Sequence, residues 1–171
     1  MVKIKTEVLA KSTGRASFQC MDAIEISLCI EKEGLLFYES VGKRVQDPQV
    51  REMFFRLAGE EREHIQALQE KSRFLQPAIA SRNRPKEYLQ RFMGEELKGK
   101  IFPALTVSFV QNIQSDKQAL ELGIESEKRS IDVLQELLGK EKKLDVKVIF
   151  SHLLVEEKKH LFLLEDLKKQ L

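Results

Sequence analysis

Tryptophan is absent from this chain of 171 residues, and histidine (3), proline (4) and cysteine (2) are scarce. Few prolines and eight glycines in a chain rich in Glu, Lys and Leu point to helices rather than to turn-rich β structure. Cys20 and Cys29 stand nine positions apart, which is neither a metal-clip spacing nor a disulfide framework. Two free thiols in a reducing compartment are expected, with the cytoplasm as the default location. No apolar run approaches the roughly 20 residues that a membrane span requires. The opening MVKIKTEVLAKSTGRASF lacks the 7–15-residue apolar stretch of a secretory signal. A net charge of +2 gives no global electrostatic case for nucleic acid or for an anionic membrane, and neither is expected as a partner.

The helical pattern divides the chain into four long segments. Residues 1–17 are polar and irregular and read as an N-terminal extension; residues 18–171 read as one domain. Apolar positions at steps of three and four predict a first helix over about 18–43 and a second from Pro48 to about Leu75. Ser115 is a candidate N-cap for a third helix, which Gly139-Lys140 is expected to stop, and a fourth follows over about 144–170. Pro77, Pro85 and Pro103 interrupt the segment between the pairs, about 76–114, where one short helix is expected near Lys86–Phe92. Short loops make each pair an antiparallel hairpin, and the middle segment is long enough to travel the length of a bundle. The fold class that follows is all-α: a four-helix bundle of two antiparallel helix hairpins joined by a long crossover.

The two hairpins repeat one another. Glu127, Glu157 and His160 lie 96 positions after Glu31, Glu61 and His64. Ala23 and Ala119, Phe54 and Phe150, Leu57 and Leu153, Glu60 and Glu156, and Leu68 and Leu164 share that offset. Stepping along each helix places the six Glu and His residues in otherwise apolar seams, near the middle of all four helices. The first seam runs Ile24, Leu28, Glu31, Leu35, Tyr38; the third runs Leu120, Ile124, Glu127, Ile131, Leu134. Glu-x-x-His turns about 300° along a helix, so both side chains leave one face a turn apart.

A single Glu-x-x-His is more often a solvated pair than a ligand. Two of them, in seam register and each with a matched Glu, are the ligand set of a two-metal centre in a bundle core. Four buried carboxylates would otherwise cost several kcal/mol each plus their mutual repulsion. Two divalent ions cancel their charge, and protonation is the alternative remedy. Carboxylate and imidazole without thiolate favour iron or manganese, with zinc able to take their place. Glu61 and Glu157 are expected to bridge the ions, Glu31 and Glu127 to bind one ion each, and each His to bind one.

The stretches AIEISLCIEKEGLLFYES, LAGEEREHIQAL, ALELGIESEKRS and LLVEEKKHLFLLEDL resemble the four helix motifs of the rubrerythrin branch of the ferritin-like superfamily. The first carries a ligand Glu followed by a small residue and then Tyr, here Glu31, Gly34 and Tyr38. The resemblance implies a ferritin-like fold and two iron ions held by Glu31, Glu61, His64, Glu127, Glu157 and His160. It further implies redox chemistry with peroxide or dioxygen. The paired Cys-x-x-Cys motifs of the family's iron-binding electron-donor domain have no counterpart in these residues. An external electron donor is therefore expected, as is, by analogy, a homodimer. Ser130 stands where classical members offer an additional carboxylate, and Leu134 is the repeat mate of Tyr38. Tyr38 is expected to donate a hydrogen bond to a ligand. Gly34 and Ser130 are expected to leave space beside Glu31 and Glu127, or else to mark a close helix contact. Glu60 and Glu156 either face solvent or orient the imidazoles through Nδ1.

His152 and the basic stretch Arg82, Arg84, Lys86 read as solvated surface. A second apolar stripe on the first helix, Ile26, Ile30, Phe37 and Val41, either packs under the crossover or forms the dimer interface. Three functions fit these readings: a di-iron oxidoreductase using external electrons, a protein that binds and oxidises ferrous iron, and a helical interaction module held together by its metals.

Overall fold

Two of the four long helices begin at side-chain caps, Asp47 and Ser115. A computed structural model describes the backbone of residues 18–79 and 87–171 and the side chains of 18–75 and 87–171; the N-terminal extension and Arg82, Arg84 and Lys86 lie outside the described residues. Helix α1 spans Cys20–Gly42 and α2 spans Pro48–Ile79. Asp47 caps α2, its Oδ1 accepting from the amides of Gln49 (2.8 Å) and Val50 (3.1 Å) while Pro48 takes the first helical position. Two short helices follow, α3 (Glu87–Phe92) and α4 (Val107–Gln111). Helices α5 (Asp116–Lys140) and α6 (Leu144–Gln170) complete the set. Ser115 caps α5 by accepting from the Gln118 amide at 3.1 Å.

Helix α1 packs along α2 and α5 along α6, and the hairpins join chiefly through α1 against α6. The result is a bundle of two hairpins with the crossover laid over it. Asp116 ties the hairpins at one end: its carboxylate accepts from the amides of Gln46 (2.9 Å) and Asp47 (2.6 Å) in the α1–α2 turn. The repeat mates Phe54 and Phe150, and Leu57 and Leu153, are all buried in the core. Each side chain of that size contributes about 1.5–3 kcal/mol on full burial. Among the described residues no helix is long and apolar enough to cross a membrane.

Three element ends differ from the sequence expectation. Helix α2 continues through Pro77 to Ile79, because a proline in the last turns removes only one amide donor from the ladder. Helix α5 runs through Gly139 to Lys140 and stops at the extended Glu141, whose Oε1 accepts from the amides of Lys142 (2.7 Å) and Lys143 (2.9 Å). In the crossover, α3 runs into a π-helical turn, Met93–Leu97, and α4 is an element the proline pattern concealed.

The crossover also settles the second apolar stripe. Ile26, Ile30, Phe37 and Val41 are at most 1% exposed, and Phe102 of the crossover lies 5.5 Å from the Phe37 ring centre. The stripe is thus covered within the chain, and a dimer would use another face. The crossover is held across α1 by Gly99, whose amide donates to Glu33 Oε1 (3.2 Å) from a left-handed backbone (φ 69°) that favours glycine. From α5, Arg129 Nε donates to the Ile101 carbonyl at 2.7 Å.

Candidate metal centre

Each of the four long helices delivers polar side chains to one point inside this core. Glu31 comes from α1, Glu61 and His64 from α2, Glu127 from α5, and Glu157 and His160 from α6. Glu31, Glu61, Glu127, Glu157 and His160 are essentially fully buried, while the His64 side chain keeps 20% of its surface exposed. The imidazoles stack with ring centres 5.9 Å apart and planes 18° from parallel.

The distances between donors are compatible with a shared cation. His64 Nδ1 lies 3.4 Å from Glu31 Oε2 and 3.9 Å from Glu61 Oε2. His160 Nδ1 lies 3.4 Å from Glu61 Oε1, 3.7 Å from Glu127 Oε1 and 4.0 Å from Glu157 Oε2. Two ligand atoms each about 2.0–2.2 Å from one ion stand roughly 3–4 Å apart. Both oxygens of Glu31, Oε2 of Glu61, Glu127 and Glu157, Nδ1 of His64 and both ring nitrogens of His160 are buried without a hydrogen-bond partner. Buried polar atoms are almost always satisfied, so a convergent group of orphans marks a place for ions. The donors fit two hard or borderline cations and contain no thiolate.

They fall into two sets. Glu61, Glu127, Glu157 and His160 offer atoms within 4.8 Å of one another, and so do Glu31, Glu61 and His64. Glu61 therefore belongs to both sets, as a bridging carboxylate must. Glu157, which the repeat places as a second bridge, belongs to one only; the exact repeat in sequence is not matched by equal geometry.

The remaining residues close around these six. Tyr38, fully buried, donates its hydroxyl hydrogen to Glu127 Oε1. Glu60 and Glu156 face the imidazoles across the hairpins, Glu60 Oε2 at 3.5 Å from His160 Nε2 and Glu156 Oε2 at 3.7 Å from His64 Nε2. The sequence left open whether these residues face solvent or orient the imidazoles through Nδ1. They stand outside Nε2, because Nδ1 of each ring points inward; Arg56 and Lys159 hold them there at 2.9 and 2.8 Å. A carboxylate behind a ligating imidazole fixes its tautomer and orientation. His152 is exposed on α6, away from the cluster.

Gly34 opens no space. A methyl group built there would stand 2.8 Å from Glu61 Oε1 and 3.2 Å from Phe102 Cζ, so the missing side chain is a cradle for the Glu61 carboxylate. Ser130, its repeat mate, is fully buried with an unpartnered hydroxyl. For Gly34→Ala we expect unchanged or slightly greater helicity by circular dichroism, since Ala exceeds Gly as a helix former by about 1 kcal/mol. Calorimetric titration should at the same time show divalent-metal affinity lowered by roughly 10- to 100-fold, as displaced support of a ligand does.

The electrostatics show how the chain tolerates this cluster with protons alone. Burial, then the charge of Glu61, pushes the Glu31 carboxyl well above the usual carboxylate range. Burial, then Glu127, does the same to Glu157. Burial works upward on Glu61 too, but its close contacts with Glu31, His160 and His64 override it and hold this carboxylate below its ordinary value. Contacts with Glu31 and Glu61 raise His64 to about 10. His160 rises to about 11 because Glu127 and Glu61 outweigh the downward pull of burial. Burial and the neighbouring Glu127 raise the Tyr38 phenol well above its ordinary value, so it stays a donor.

A family model described as Rubrerythrin matches residues 22–168. No curated protein and no solved structure matches the chain.

Proposed function

The chain belongs to the rubrerythrin family, whose ferritin-like bundle it adopts, and on that premise we propose that it is a di-iron oxidoreductase reducing peroxide or dioxygen with electrons from an external donor. Glu61 would bridge two iron ions, with Glu31 and His64 on one, Glu127, Glu157 and His160 on the other. Iron held by these residues would supply one-electron redox chemistry toward peroxide or dioxygen, with the external donor restoring the electrons spent. The single observation that carries this reading is the convergence of orphaned carboxylate and imidazole atoms from four helices on one buried point.

The chain's own residues supply the rest. Tyr38 holds a proton on its oxygen against Glu127 and fixes that carboxylate in one orientation. Glu60 and Glu156 stand outside Nε2 of the imidazoles at 3.5 and 3.7 Å, and their charge favours the ring orientation that turns Nδ1 inward. The apolar seam above and below, including Phe54, Leu57, Phe150 and Leu153, excludes bulk water and strengthens every charge interaction within. Manganese or zinc could occupy the same donors.

Partial exposure of His64 favours a second reading, in which ferrous iron itself is the reductant and the protein oxidises and retains it. Anaerobic loading with ferrous iron followed by peroxide and an artificial reductant separates the two. Consumption of peroxide through many turnovers supports the first reading. One round of oxidation with iron retained supports the second. Two bound irons that never react with oxidant would leave a metal-stabilised helical module and sink both.

A further inference from the structure

The outward side of α6 is apolar along a line where that of its repeat mate, α2, is not. Leu144, Val148, Val155 and Phe162 run down the middle of its exposed face, each more than half exposed. Steps of seven residues, close to two full turns, set the last three on one line. The duplication supplies the control: 96 positions before these three, on α2, stand Glu52, Gly59 and Gln66. The exposed positions of α5 include Lys117, Glu125, Lys128 and Asp132, and among the described residues that helix exposes no large apolar side chain. Lone exposed apolar residues are ordinary, whereas a continuous run of them marks a surface that something covers.

The stripe borders two hollows between α2 and α6. One, of about 1090 Å³, is walled by Leu144, Val148 and Ile149 on α6 and by Phe74 and Leu75 on α2. The other, of about 420 Å³, lies beside Val155 and Phe162 and is edged by Arg56. A two-fold axis beside Val155, perpendicular to α6, brings a second copy onto this relief. The two α6 helices then run antiparallel, and Val155 faces its own mate. Phe162 lies over the partner's Val148, because both stand about 10.5 Å along the helix from the axis. The axis keeps α2 on the same side in both copies, so the Phe162 ring enters the partner's wider hollow. Charges agree at the ends. Glu165, which falls opposite the partner's Asp145, is turned aside to Lys128 at 2.7 Å. One turn beyond it, Lys169 comes within reach of that Asp145, and both positions are exposed.

We infer that the outward face of α6 is the surface on which two copies of this chain pair, about a two-fold axis at Val155. The strip from Leu144 to Lys169 is about 37 Å long and, with the edge of α2 beside it, about 20 Å wide. That is roughly 700 Å² from each copy, near the 800 Å² per partner of a standard interface. Its middle is apolar and its ends are charged, the arrangement that stable interfaces share. Phe162 is the anchor of the contact, an exposed ring set to fill a hollow in the other copy.

Sedimentation of the intact, metal-loaded chain should give a dimer at twice its 19.8 kDa. Phe162→Glu should weaken pairing by more than about 100-fold, as loss of an anchor from both copies does, with helicity and metal content unchanged. Leu36→Glu, at an exposed apolar position on α1, should leave the dimer intact. Asp145→Lys or Lys169→Asp alone should weaken pairing by about 2- to 30-fold, and the two together should restore it. In a chain carrying Cys20→Ser and Cys29→Ser, Val155→Cys should link two copies by a disulfide under mild oxidation, because the axis sets it beside its own mate. Val148→Cys should not. A wild-type chain that stays monomeric would overturn the inference and leave the stripe to a different partner. A dimer that survives Phe162→Glu would move the interface to another face. Linkage through Val148→Cys and not through Val155→Cys would overturn the position of the axis.

Discussion

Replacing Glu61 with alanine is expected to empty both ion positions at once, lowering bound metal from about two ions per chain to a small fraction of that. Glu61 is the one residue common to both donor sets. Its Oε1 lies 3.4 Å from His160 Nδ1 and its Oε2 3.9 Å from His64 Nδ1, and among the described residues it alone is shared by the two donor sets. Elemental analysis of the purified variant reads the effect directly.

Stability gives a second readout. An ion at one hundred times its dissociation constant stabilises the folded chain by about 2.7 kcal/mol, and two independent ions by about 5. That is a large share of the roughly 5–15 kcal/mol by which domains are stable. For a chain of this size each kcal/mol moves Tm by about 2–4 °C, so loaded and chelated wild type should differ by about 10–20 °C. In Glu61→Ala that difference should close. Glu60→Ala is the control: it touches His160 from outside, so it should weaken binding and keep the stoichiometry at saturating metal. Two ions retained by Glu61→Ala, with the gap in Tm intact, would remove Glu61 from the centre.

The parts of this molecule legible in sequence are those governed by periodicity. Seam positions recur every three or four residues, so Glu31, Glu61, Glu127 and Glu157 declare themselves as the only acids in otherwise apolar stripes. The cap Ser115 is local and was equally readable. What escaped depends on distant contacts. Nothing near Gly34 in sequence says that a carboxylate from the next helix and a ring from the crossover fill its missing side chain. The direction of Glu60 and Glu156 depends on how one hairpin seats on the other, which a repeat within the chain does not specify. The unequal membership of Glu157 is the sharpest case. A repeat in sequence fixes which residues face the core, but their neighbours, Tyr38 against Leu134 and Gly34 against Ser130, differ enough to turn the same residue types into different surroundings.

The metal-free chain is expected to lose stability as pH rises from about 5 to 8.5, while the metal-loaded chain gains it. In the folded, metal-free state His64 titrates at about 10 and His160 at about 11, against 6.5 for an ordinary imidazole. A raised imidazole stabilises fully below its unfolded value and progressively less as pH climbs toward the folded one. Glu31 and Glu157 act in the same direction: both are raised above 4.5, so holding them folded grows costlier once the unfolded carboxyls have ionised. The folded state therefore binds more protons than the unfolded one across this window, and linkage makes its stability fall with pH. Glu61 has the opposite sign, but it is held below 4.5 and matters only in stronger acid. Ions reverse the slope, because they must displace these protons before they bind. At pH 7 uptake of two ions should release at least about two protons per chain, one from each imidazole, plus whatever Glu31 and Glu157 still hold. A weakly buffered indicator measures the release, and calorimetry at a series of pH values with chelator or with saturating metal measures the widening gap in Tm. A gap that stays constant from pH 5 to 8.5, or uptake without proton release, would show that protons do not neutralise this cluster in the absence of metal.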